Sequence, residues 1–118
     1  IGGVTAFFRS RWEANYARYL EKLRVENRIK AWEHEPHRFW FPNNGQKNLS
    51  YLPDFRVTLN SGTTVFREVK GWIDTATIAK AKLMVEHYPD TIIKTISKNE
   101  YERLERLHSS SIPDWEFP

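Results

Sequence analysis

Cysteine is absent from the 118 residues. That excludes disulfides, thiolate nucleophiles and every zinc site built on sulfur. Long apolar runs are missing too, and none approaches the ~20 residues of a membrane-spanning helix. The opening Ile1-Gly2-Gly3-Val4 carries neither the basic nor the apolar region of a secretion signal. Together these absences set the expectation of a cytoplasmic protein. Histidine is sparse: His34, His37, His87 and His108 show no zinc-binding spacing, and each reads as surface or structural. The single methionine, Met84, carries no functional signal. There is no internal repeat, no low-complexity tract and no helix-turn-helix or zinc-finger pattern.

What remains is a folded composition, 40% hydrophobic and 28% charged, of a length that suits one domain over residues 1–118. Lysine and arginine number 18 against 15 acids, a net charge of +3. This modest surplus favours an anionic partner where the bases cluster.

Periodicity supplies the elements. Trp12, Tyr16, Tyr19, Leu20 and Leu23 fall on one face of a helix over 9–28. Residues 29–34 and 38–41 read as short strands broken at Pro36, and 42–48 as a loop. Tyr51–Leu59 and Thr63–Lys70 read as a hairpin around Asn60-Ser61-Gly62. A helix over 75–88, stopped by Pro89, is expected to turn Ile78, Ala79, Leu83 and the Ala81–Val85 region inward. A β-branched strand over 91–97 and a helix over 99–108 follow, then an irregular aromatic tail, 109–118. The class is α/β (α+β): a mixed sheet flanked by helices, in the order αβββαβα. The helical crossover from Lys70 to Thr91 makes those two strands parallel.

The chemistry concentrates in Leu52-Pro53-Asp54-Phe55 and Arg67-Glu68-Val69-Lys70-Gly71. Glu68 and Lys70 alternate onto one sheet face. A three-residue turn at Asn60–Gly62 pairs Leu59 with Thr63 and sets Asp54 opposite Glu68, with Cβ atoms ~5 Å apart. An even-length turn would send them to opposite faces. Two carboxylates side by side call for a cation, and Mg²⁺ suits oxygen donors. The Val69 carbonyl is a further candidate ligand, and Lys70 adds a positive charge for a developing anion. Glu13 lies on the first helix, three residues after Ser10. It reads either as a capping-box residue or as a third acid at the same site.

The order of helix Glu, Pro-Asp and Glu-x-Lys resembles the PD-(D/E)XK nuclease superfamily. The likeness runs from about Arg9 to Leu107. With Tyr51-Leu52-Pro53-Asp54-Phe55, Glu68-Val69-Lys70-Gly71-Trp72 and Tyr88-Pro89, it is similar to small phage endonucleases, among them Holliday-junction resolving enzymes. The resemblance implies a restriction-endonuclease-like core and Mg²⁺-dependent phosphodiester hydrolysis, with Mn²⁺ as a substitute. It implies Asp54, Glu68, Lys70 and Glu13 as catalytic residues, and Asp54, Glu68, Glu13 and the Val69 carbonyl on the metal. A branched DNA substrate and a homodimer follow, with no nucleotide cofactor, in the host cytoplasm if the chain is phage-encoded. Arg9, Arg11, Lys47, Lys80 and Lys82 are the expected phosphate contacts. Trp72, with Trp32 and Trp40 behind it, is the expected stacking residue. The first helix and the tail around Trp115 are the expected exposed dimer surfaces. A nicking or end-directed duplex nuclease, and a basic accessory protein that binds DNA without cleaving, are the alternatives.

Overall fold

The computed structural model describes residues 1–3, 8, 10–42 and 49–118. The expectations for Arg9 and Lys47, and most of the 42–48 loop, fall outside the described residues. The chain runs α1 (Arg11–Val25), β1 (Ala31–His34), β2 (Phe39–Phe41), β3 (Leu49–Tyr51), β4 (Phe55–Thr58), β5 (Thr64–Val69), α2 (Thr75–His87), β6 (Ile93–Ile96) and α3 (Lys98–His108), then a short 3-10 turn, Ser109–Ser111. A mixed α+β fold results: a four-stranded sheet in the order β1-β4-β5-β6, and a separate β2-β3 ladder. Among the described residues, no helix is long and apolar enough to cross a membrane.

Five strands precede α2, against three in the expected order αβββαβα and four among the runs read as strands. The run expected as one strand, Tyr51–Leu59, is split, because Pro53 cannot donate to a ladder. The part before it pairs with β2, Tyr51 facing Phe39. The part after it enters the main sheet between β1 and β5. The crossover through α2 leaves β6 parallel to β5, as expected.

The register follows from the turn. Leu59 N–H donates to Thr63 O at 2.8 Å, and Thr58 pairs with Thr64. Gly62 takes φ +93° there, a conformation that favours glycine. Counting back, Phe55 faces Arg67, and one step further Asp54 stands opposite Glu68.

One face of the sheet is covered by α1 and α3. Tyr16, Leu20, Phe55, Val57, Ile96 and Tyr101 are all buried there. Burying each such side chain stabilises by about 1.5–3 kcal/mol. Trp32 belongs to this core at 7% exposure and donates its indole N–H to Glu21, so it is not a stacking surface. The tail is not loose. Trp115 and Ile112 are buried in the same core, and Asn15 stitches the tail to α1. The expected dimer surface on α1 and Trp115 is therefore largely occupied by the protein's own packing.

The other face carries a smaller core of Phe39, Phe41, Tyr51, Phe66 and Met84. Met84 is the only buried residue of α2, the one position of the expected inward Ala81–Val85 region that is fully covered. Ile78 and Val85, expected inward, are 49% and 74% exposed. Here α2 stands over the sheet at Met84 and leaves a cleft beneath it.

Candidate active site

The cleft, about 640 Å³, opens between α2, the start of α1 and the ends of β3 and β5. Its lining includes Glu13, Asp54, Glu68, Val69 and Lys70, so the proposed catalytic set opens into one space.

Asp54 is 5% exposed. Its backbone carbonyl accepts from Glu35 N–H at 2.8 Å, which extends the β1–β4 pairing by one step. Its side-chain Oδ2 accepts from Val69 N–H at 2.8 Å. The carboxylate thus takes over from the backbone ladder where β4 stops, which fixes its height beside Glu68. Glu68 Oε2 accepts from the Tyr51 hydroxyl at 2.8 Å, and Oε1 has no hydrogen-bond partner among the described residues. Burial first, and then the Glu68 carboxylate, push the Tyr51 phenol well above the ordinary tyrosine range. The sequence places Tyr51 in a strand and in the Tyr51-Leu52-Pro53-Asp54-Phe55 motif, without a role of its own. Its place three residues before Asp54 was the available signal, but the contact needs the β2–β3 ladder to bring its hydroxyl round to β5.

Lys70 is half-buried on the same wall, and its N–H donates to Ile96 O at 3.0 Å. Gly71 after it lies against α1: a Cβ there would sit 3.3 Å from the Trp12 ring. A larger residue would press on Trp12, which stacks on Tyr101 with centroids 4.3 Å apart.

Glu13 meets both expectations in part. Ser10 Oγ accepts from its N–H at 3.1 Å, the N-terminal half of a capping box. Its carboxylate turns into the fold, and Oε1 lies 3.1 Å from His34 Nε2. Glu35 Oε1 is 3.4 Å from the same nitrogen. Glu13, His34 and Glu35 are the one group of three potential ligand residues among the described ones whose atoms all lie within 4.8 Å of one another. Glu13 therefore shares the cleft with Asp54 and Glu68 and also meets His34 and Glu35. His34, expected only as a surface or structural residue, belongs to this group. Its side chain is 8% exposed and packs on Phe55, with Glu13 as the partner that the sequence did not reveal.

The expected DNA contacts divide. Lys80 lines the cleft, and so does Arg38, which was not singled out. Arg38 also lies over the Trp40 ring, 5.7 Å from its centroid. Lys82 is exposed but outside the cleft lining. Arg11 is not in the cleft lining: its Nε is buried without a hydrogen-bond partner among the described residues, and the side chain lies beside Tyr101. Trp72 and Ile73 are 80% and 63% exposed just beyond Lys70. Asp74 lines the cleft as N-cap of α2, accepting from Thr77 N–H at 2.8 Å. The Thr77 hydroxyl bond, above all, holds its carboxyl below the usual aspartate range.

Fold and cleft define a mixed α+β domain with two carboxylates and a lysine on one sheet face. The family described as "Protein of unknown function (DUF1064)" matches residues 3–105, and the chain belongs to it. No curated protein matches the chain.

Proposed function

We propose that this protein is a metal-dependent DNA endonuclease of the PD-(D/E)XK type. The observation that carries the reading is the register that sets Asp54 opposite Glu68, with Lys70 on the same face of one cleft.

The donors fit a hard divalent cation. Asp54 is fixed through Oδ2, Glu68 is fixed through Oε2 with Oε1 left over, and Val69 lines the same space. Oxygen ligands of this kind suit Mg²⁺, with Mn²⁺ as a substitute. Bound there, the metal would polarise the phosphoryl oxygen and lower the pKa of a bound water. The protein's part is orientation and charge. Tyr51 and the Val69 N–H hold the two carboxylates in place, and Lys70 sets a cation beside the developing negative charge. Arg38 and Lys80 hold flanking phosphates, and Trp72 offers a face to an unstacked base. Glu13 acts from the cleft's edge, its carboxylate steadied by His34.

The preferred substrate is branched DNA, a four-way junction above all, met in the cytoplasm, the host's if the chain is phage-encoded. Symmetric cutting of such a junction needs two active sites, and so a twofold dimer. The test is cleavage of a synthetic four-way junction beside linear duplex of the same sequence, in Mg²⁺ and in EDTA, by the wild type and Glu68→Gln. Paired nicks in the junction alone, lost in EDTA and in the variant, are expected. Equal cutting of linear duplex would discard the junction preference and keep the nuclease. Binding without scission in Mg²⁺ or Mn²⁺ would overturn the nuclease and leave a DNA-binding accessory protein.

A further inference from the structure

Arg67 and Glu68 are neighbours on β5 and face opposite sides of the sheet. Glu68 opens into the cleft, whereas Arg67 opens into a second groove of about 480 Å³ on the other face, between α1 and α3. Four cations line that groove, Arg28, Arg67, Lys94 and Arg103, against one acid, Glu100. Lys94 and Glu100 lie 3.5 Å apart and satisfy each other. The three arginines have no carboxylate within ion-pair distance among the described residues. Among the other arginines, Arg18, Arg24 and Arg56 each sit on a glutamate, whereas Arg38 and Arg106, like the three of the groove, have no carboxylate partner among the described residues.

Arg67 is the centre of the groove. Its Nη1 donates to the Tyr16 hydroxyl at 3.0 Å, which anchors the guanidinium on α1. Its Nε is buried with no hydrogen-bond partner among the described residues. A buried donor left unmade is destabilising, and a part-buried charge without a counter-charge adds to that. Apolar walls, Leu104 and Leu107 among them, lower the local dielectric and strengthen any anion held there. Guanidinium groups match phosphoryl oxygens with paired hydrogen bonds.

The geometry points to a phosphoryl-anion site in this groove, centred on Arg67 with Arg28 and Arg103 at its rim and separate from the carboxylate cleft. The phosphoryl group comes either from a free polyphosphate or from a nucleic-acid backbone laid across this face. Neither source requires the nuclease reading.

The test is an NMR titration of the arginine Nε–Hε signals, without divalent metal and in EDTA, with inorganic pyrophosphate in one arm and a short blunt duplex in the other. Saturable shifts of Arg28, Arg67 and Arg103 are expected. Affinity should fall at least tenfold in Arg28→Gln/Arg103→Gln, whose positions are exposed and tolerate the change, and stay unchanged in Glu68→Gln. Saturation by pyrophosphate but not by duplex identifies a free ligand. Saturation by duplex, with or without pyrophosphate competition, identifies a backbone phosphate. Shifts that only track sodium chloride at matched ionic strength would overturn the site. So would saturable shifts confined to the Lys70 side of the sheet.

Discussion

Replacing Tyr51 by phenylalanine tests whether the cleft is built around Glu68. The ring packs in the smaller core with Phe39, Phe41, Phe66 and Met84, and phenylalanine keeps that packing. Only the hydroxyl leaves, and with it the 2.8 Å bond to Glu68 Oε2. A hydrogen bond to a charged group contributes about 1.5–3 kcal/mol. Glu68 is half-buried beside an open cleft, so water recovers part of this, and the stability loss should sit near the low end, about 1.5 kcal/mol. The carboxylate also loses its orientation. Loss of an outer-shell partner lowers metal affinity by about 10–100-fold. Urea denaturation measures the first effect, and Mn²⁺ titration by electron paramagnetic resonance the second. A double-mutant cycle with Glu68→Ala isolates the contact, and a coupling of about 1 kcal/mol or more is expected. Additivity within ~0.3 kcal/mol, or Mn²⁺ affinity within twofold of wild type, would show that Tyr51 only fills space.

Two further predictions concern the fold. Asn15 is fully buried. Its Nδ2 donates to Tyr101 Oη and Glu116 O, and its Oδ1 accepts from Arg18 Nη1 and Glu116 N–H. Asn15→Asp keeps the shape but sets a carboxylate oxygen against the Glu116 carbonyl. A loss of about 2–4 kcal/mol is expected in urea denaturation, with tryptophan fluorescence red-shifted as Trp115 leaves the core; a loss under ~1 kcal/mol would refute this reading of the tail. The second prediction is alkaline. Tyr16, Tyr51 and Tyr101 all titrate above the ordinary value of 10.0, burial being the first cause in each. Between the unfolded and folded values the native state holds more protons. Stability is therefore fully present below pH 10 and falls as pH rises beyond it. Thermal melts from pH 8 to 12 should show that decline, less steeply in Tyr51→Phe, and a flat profile would refute it.

The register of the hairpin was legible because a turn of known length fixes it and alternation does the rest. So were the face of α1 that carries Tyr16 and Leu20, and the parallel crossover to β6. The split at Pro53 was not legible: a proline in a strand is compatible with a bulge or an edge position, and only the pairing of Tyr51 with Phe39 shows that two strands go to two sheets. The exposure of α2 was not legible, because apolar spacing says which side chains share a face and not whether a layer exists to cover them. Contacts distant in sequence were hidden for a different reason. His34 reaches Glu13 across 21 positions, and Asn15 reaches Glu116 across 101. Nothing local to either partner encodes the meeting.

Strand β5 shows why the turn matters more than any single site residue. Phe66, Glu68 and Lys70 point to the cleft face, and Val65, Arg67 and Val69 to the helix face. A slip of one residue would exchange the two sets. Glu68 would then be pressed toward Leu20 and Phe55, both 0% exposed, a buried carboxylate costing several kcal/mol. Arg67 would enter the cleft in place of a carboxylate, and the groove between α1 and α3 would lose its central cation. The unfavourable slip holds the register from the core side, and the Leu59–Thr63 bond with Gly62 holds it from the turn. Both chemistries proposed for this protein, the carboxylates on one face and the arginines on the other, depend on that one choice of register.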